Sequence, residues 1–180
     1  MKEREFDPLR LDLAAFATEG AELSGIWPLE ELPRLAASAH SGPPATGGAV
    51  HWSARGERRP RRGGEPDNWL HLRLATRLHL ECQRCLQPVE TPLEIGRSLR
   101  FVQGEDEAAA LDADSEEDVL ALPRWLDLRE LAEDELLLAL PIVPRHEQCP
   151  QTLPSAVGED EVARENPFAA LQALKDGGRH

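Results

Sequence analysis

The sequence predicts an α+β protein: an antiparallel sheet or partial barrel with a long hairpin, packed by one or two helices. Two observations carry that prediction. Residues 70–101 alternate apolar and polar side chains in two long runs around a short connection, the pattern of an antiparallel hairpin with one buried face. Beyond residue 127 the apolar spacing becomes helical, and strands followed by a helix, without regular βαβ alternation, indicate α+β.

Taken in order, Pro8–Leu13 (PLRLDL) alternates as a short strand. Ala21–Pro28 (AELSGIWP) is a second, with Gly25 at a bulge or a close approach. In Pro28–Ser38 the residues Leu29, Leu32, Leu35 and Ala36 share a helical face, and Pro33 either shortens that helix or starts it. Ser41–Gly48 is a loop. Ala49–Gly56 puts Val50, Trp52 and Ala54 on one side of a strand. Arg55–Pro66 (RGERRPRRGGEP) has five arginines and no periodicity, and reads as a mobile basic loop.

The hairpin follows. Leu70, Leu72, Leu74, Leu78 and Leu80 share one face, opposite His71, Arg73, Arg77, His79 and Glu81. After the connection Val89, Thr91, Leu93, Ile95, Leu99 and Phe101 continue the apolar face. Residues 104–118 are an acidic loop, and Asp118–Leu122 (DVLAL) suits an edge strand. In the last helix Asp127 and Glu130 fit a capping box, Leu128, Leu131, Ala132, Leu138 and Ala139 form the apolar face, and Pro141 ends the run. The expected division is a single domain over 1–150 and a polar linker with a short helical peptide over 151–180. In that peptide, Asn166–Lys175, Asn166 and Pro167 suit cap and first turn, and Phe168, Leu171 and Leu174 form a stripe suited to a protein partner or to its own domain.

Formal net charge is −13, which disfavours indiscriminate binding to nucleic acid or anionic membrane. The charge is unevenly placed. Residues 51–103 hold ten Arg against six Asp/Glu, while residues 104–140 hold thirteen Asp/Glu against two Arg. The first segment suits phosphate, and the second can mask it as an internal competitor. Arg58, Arg59, Arg61, Arg62, Arg73 and Arg77 are the candidate RNA contacts; the alternative is a solvated basic loop and a mixed-charge sheet face. The start of the chain lacks an apolar signal core, and the longest apolar run, Leu136–Leu140, is too short to span a bilayer. With three cysteines, an odd number, the expectation is a reduced, cytoplasmic protein without a membrane partner.

Cys82-Gln83-Arg84-Cys85 sits at the hairpin tip, and His146 and Cys149 repeat the two-residue gap. Two such pairs brought together supply the four ligands of a tetrahedral zinc site. The competing reading leaves them as small residues at a turn and after a helix. A redox dithiol is weaker, because its usual helix N-terminus is replaced by strands. Glu135 falls amid the apolar face of the last helix, where a carboxylate must be paired, protonated or at a partner interface; the plainest reading is a structural ion pair with an arginine of the sheet, Arg84 being one choice.

The strings LECQRCLQPVE, DLRELAEDELLLALPIVPRHEQC and NPFAALQALK occur in this order. In that order they resemble the YceD family of large ribosomal RNA subunit accumulation proteins, over about residues 70–175. The resemblance implies a non-enzymatic factor for the synthesis, processing or stability of 23S ribosomal RNA, acting on that RNA or on large-subunit assembly intermediates. Its motif positions here are Cys82, Arg84, Cys85, Glu135, Pro141 and Cys149. A zinc-stabilised protein-interaction adaptor that never touches RNA is the alternative, and a thiol oxidoreductase a distant third.

Overall fold

A computed structural model describes residues 4–40, 48–61 and 63–150. Arg62, most of the Ser41–Gly48 loop and the Asn166–Lys175 peptide lie outside the described residues.

The elements run α1 (Leu13–Glu19), β1 (Glu22–Pro28), α2 (Pro33–Ser38), β2 (Ala49–Arg59), β3 (Asp67–Glu81), β4 (Pro88–Val102), α3 (Glu105–Asp112), β5 (Val119–Ala121) and α4 (Leu128–Leu138). The class is α+β. The five strands form one open sheet in the order β1-β2-β3-β4-β5. The first four pair antiparallel, and β5 joins β4 in parallel.

Alternation decides the faces. Val50, Trp52, Ala54, Leu70, Leu72, Leu74, Leu78, Leu80, Leu93, Leu99 and Phe101 are buried together with Leu13, Phe16, Leu35, Leu128, Ala132 and Leu136 of the helices. Thus α1, α2 and α4 cover one face of the sheet. Burial of this apolar surface is the main favourable term in the fold. The β1 edge seals onto it by close approach: Trp27 stacks on Trp52 at 4.4 Å. A Cβ on Gly25 would come within 3.0 Å of the Trp52 indole.

Among the described residues there are four α-helices, of which α1, α2 and α4 cover the sheet. The Pro8–Leu13 strand is reduced to a single bridge, in which Leu11 and Leu126 exchange backbone hydrogen bonds of 2.8 and 2.9 Å. Asp12 then turns the chain by accepting the N–H of Ala15, capping α1, and Gly20 closes it at φ 59°. The expected acidic loop is partly helix: α3 forms because Ala108 packs on Val102 and Val119 in a second small core. Its first turn holds Glu105, Asp106 and Glu107, which favours a helix N-terminus. The expected basic loop is also shorter, since β2 runs to Arg59.

Helix α4 starts as expected, with Asp127 accepting the N–H of Arg129 (2.9 Å) and Glu130 (3.0 Å). Its buried side is turned from the expected stripe. Glu133, Glu135 and Leu136 are buried, while Leu138 is 75% exposed. The cause is packing against two neighbours: the sheet takes Leu128, Ala132 and Glu135, and α2 takes Glu133 through Arg34. Among the described residues no helix is long and apolar enough to cross a membrane.

Candidate functional site

Strands β3 and β4 bring Glu81 opposite Pro88, so the six residues between them form the tip. The turn is closed by hydrogen bonds from the Cys82 N–H to the Gln87 carbonyl (3.0 Å) and from the Leu86 N–H to the Cys82 carbonyl (2.8 Å). After α4 the chain folds back, and the Gln83 N–H donates to the Pro144 carbonyl at 2.9 Å. That bond helps bring the second ligand pair to the first.

The four side chains converge. One ligand atom from each of Cys82, Cys85, His146 and Cys149 lies within 4.8 Å of every other. The Sγ atoms of Cys82 and Cys149 are 3.9 Å apart, and Cys85 Sγ is 3.4 Å from His146 Nδ1. All three cysteines are free. Ligands on a tetrahedral zinc, with Zn–S about 2.3 Å and Zn–N about 2.0–2.1 Å, stand roughly 3.8 Å (S–S) and 3.6 Å (S–N) apart. These two separations are close to edges of a zinc tetrahedron, whereas a disulfide needs sulfurs about 2.05 Å apart.

The surroundings suit a metal as well. His146 Nε2 lies 3.1 Å from the Pro88 carbonyl. A carbonyl only accepts, so Nε2 carries the proton and Nδ1 keeps its lone pair toward Cys85, the outer hydrogen bond that orients a ligand histidine. Burial pushes the Cys82 thiol up, but the backbone N–H groups of His146, Arg84 and Cys85 outweigh it and hold it at about 5. Cys82 is therefore a thiolate near neutrality. Cys149 is shifted the other way, by burial and by the sulfurs of Cys85 and Cys82. Cys82 and Cys85 are buried, and His146 and Cys149 half-buried.

Of the other motif positions, Glu135 bonds Arg97 Nε through Oε2 at 2.8 Å, not Arg84. Arg97 occupies an apolar-face position of β4, opposite Leu72, where a helix carboxylate can reach it. Arg84 stays exposed on the tip, and Pro141 follows the end of α4.

The candidate RNA contacts are dispersed. Arg58 and Arg61 border a cleft of about 650 Å³ beside α1. Arg58 meets Thr18 Oγ1 at 3.4 Å, while Arg61 is held by Glu107 of α3 (2.7 Å) and Asp67 (3.5 Å). Arg59 and Arg73 border a trough of about 810 Å³ on the polar face of the sheet. Arg59 bonds both oxygens of Glu57, at 2.8 and 2.9 Å, and lies over Trp69. The Arg59 guanidinium, with His71, holds the Glu57 carboxyl at about 2. Arg77 approaches Glu90 at 3.8 Å, and Arg73 is exposed.

Two features are not legible in the sequence. Glu133 caps α2 across the fold, and its alternation with Glu135 gives no warning of it. Leu86 takes φ 59°, which the glycine-free string CQRCLQ conceals.

Comparison with known proteins agrees with the motif order. The family described as large ribosomal RNA subunit accumulation protein YceD matches residues 70–175. The chain is also similar to the Large ribosomal RNA subunit accumulation protein YceD of Haemophilus influenzae, with 37% identity over 102 residues, covering 53% of this chain and 59% of that protein. The match thus spans less than two thirds of that relative. No solved structure matches.

Proposed function

The chain belongs to the YceD family of large ribosomal RNA subunit accumulation proteins, and from that premise we propose that it is a cytoplasmic, non-enzymatic factor supporting the synthesis, processing or stability of 23S ribosomal RNA during large-subunit biogenesis. The observation that carries this is the family match across residues 70–175, which takes in the hairpin, α4 and all four members of the cysteine–histidine cluster. We further propose that the protein contacts RNA directly and that the cluster holds one zinc ion. Zinc fits Cys82, Cys85, His146 and Cys149 in ligand type and spacing. A closed set of four protein ligands gives a structural rather than a catalytic site. Deleting the gene is expected to lower 23S relative to 16S ribosomal RNA and to accumulate unfinished large subunits. Normal subunit profiles at slow and fast growth would overturn this role.

The second reading is a zinc-stabilised adaptor that works through protein contacts alone. Exposed Leu86, Ile142 and Val143 favour it. Crosslinking in cells separates the two readings, by recovering ribosomal RNA in the first case and only protein in the second.

A further inference from the structure

Three of the six arginines expected to meet RNA, Arg59, Arg61 and Arg77, already face carboxylates, while Arg58 meets Thr18 and Arg73 is exposed. Arg59 and Arg61 are bonded to carboxylates, and Arg55 and Arg77 approach Glu22 and Glu90 within 4 Å. A guanidinium neutralised by its own protein has little to offer a phosphate until that partner is displaced. Arg84 and Arg145, too, lack such a pair: among the described residues neither comes within 4.0 Å of a carboxylate oxygen, and both are exposed. They share one rigid support: Arg84 lies between Cys82 and Cys85, and Arg145 immediately precedes His146. Convergence of the four ligand atoms fixes both backbones to the same knuckle.

The same knuckle displays apolar side chains. Leu86 is 54% exposed, Ile142 98% and Val143 47%. The Gln83–Pro144 hydrogen bond anchors Ile142 and Val143 beside the tip. Leu86 adds a second oddity. Its φ of 59° is left-handed backbone, which a glycine or asparagine adopts at lower cost than leucine. A leucine kept there with half its surface in water gains little from packing, so its side chain is displayed at some expense of stability.

We infer that this knuckle face, with Arg84, Arg145, Leu86, Ile142 and Val143, holds single-stranded RNA. The two guanidiniums take phosphates, and the aliphatic side chains pack against unstacked bases. Duplex RNA fits less well, because its bases are stacked away from such contacts. The assignment rests on the reading of direct RNA contact, and it moves that contact from the basic segment to the hairpin tip.

The test titrates the full chain, with its metal as purified, against a labelled single-stranded segment of 23S ribosomal RNA over a salt series. R84A/R145A is expected to weaken binding and flatten the salt slope by about 1.4 units, roughly 0.7 for each phosphate of a single strand that is no longer neutralised. L86G is expected to bind more weakly while its Tm is unchanged or higher, because glycine relaxes that backbone angle. A purely structural role for Leu86 would move the two readouts together. R59A/R61A/R77A, which removes the arginines already facing carboxylates, is expected to keep the wild-type slope. Loss of binding in that triple variant, with none in R84A/R145A, would overturn the knuckle assignment and leave direct RNA contact standing. No RNA binding by the wild-type chain would overturn both. Unchanged RNA affinity in R84A/R145A, with no cosedimentation on large-subunit precursors, would make the knuckle a protein-binding face and overturn the inference.

Discussion

Glu133 of α4 caps α2 through Arg34, ninety-nine residues away in the chain: Glu133 Oε1 accepts the backbone N–H of Arg34 at 2.8 Å, and Oε2 accepts its Nε at 2.9 Å. Oε1 also takes the N–H of Leu35 at 3.1 Å. A helix that begins with Pro33 and has no side-chain cap of its own thus receives one from another element. Glu133→Ala is expected to lower stability by about 1–2 kcal/mol, the range of a lost N-cap, read as a fall in the urea midpoint.

Glu133 also sets a pH response. Burial raises its pKa, but the N–H of Leu35 and the guanidinium and N–H of Arg34 outweigh that, leaving it below the ordinary value of 4.5. A carboxyl depressed on folding contributes stability that is complete above its unfolded value and is lost as pH falls through its folded one. The wild type should therefore lose its advantage over Glu133→Ala on acidification from about pH 5 downward. A stability gap that shows no decline as pH falls below the ordinary carboxylate value of 4.5 would refute the cap.

Glu135 and Arg97 join α4 to β4 on the apolar side. Removing Glu135 as Ala should cost about 1 kcal/mol, because Arg97 loses its partner but is exposed enough to be hydrated instead. Replacing both, as Glu135→Leu with Arg97→Met, should restore much of that loss, since Glu135 is the buried member of the pair and an apolar side chain packs in its place at no desolvation cost. Urea midpoints of the three chains decide it. A double variant less stable than the single one would show that Arg97 has a second use.

Two glycines separate packing from chain stiffness. A Cβ on Gly56 would lie 2.6 Å from the Phe16 carbonyl oxygen and 2.8 Å from Ala17 Cα, whereas one on Gly96 meets nothing within 4 Å. Gly56→Ala must push α1 off the sheet and should cost about 1–3 kcal/mol. Gly96→Ala should be neutral or slightly stabilising, by reducing the freedom of the unfolded chain. Equal effects at the two positions would contradict the seating of α1 on β2.

The metal proposal makes its own demand. Untagged protein should carry about one zinc per chain, and chelation or Cys85→Ser should lower Tm, because binding energy at a structural site appears as folding energy. Metal-free protein of unchanged Tm would reduce the cysteines to turn and core residues.

What can be read from the chain is what local pattern determines. The β3–β4 alternation, the Asp127 cap and the two-residue spacings depend on neighbours in sequence. The meeting of Cys85 with His146 depends on where the chain returns after Pro141, which spacing alone leaves open. Glu135 is legible as a buried, paired carboxylate, but its partner follows from strand register. Arg97 stands out as the one charged residue among the apolar-face positions from Val89 to Phe101, a signal that register turns into a partner. Helices α1 and α3 escape for opposite reasons. The alternation of Pro8–Leu13 suggests a strand where only Leu11 pairs, and the acidic composition of 104–118 hides Ala108, which seats α3 on Val102 and Val119.

The cluster joins parts of the chain that are made at different times. Sixty-seven residues separate Cys82 from Cys149, which at bacterial and eukaryotic rates of synthesis is roughly 3–13 s of translation. In that interval β1 to β4 can zip up in the order they emerge, since each pairs with the next one made. The first two thiols then wait, unmatched, at the hairpin tip. Completion of the four-ligand set comes only after α4 and the returning segment have left the ribosome and packed. Metal capture would therefore act as a late lock on the nascent chain, closing only on copies that have already built the sheet and its covering helices.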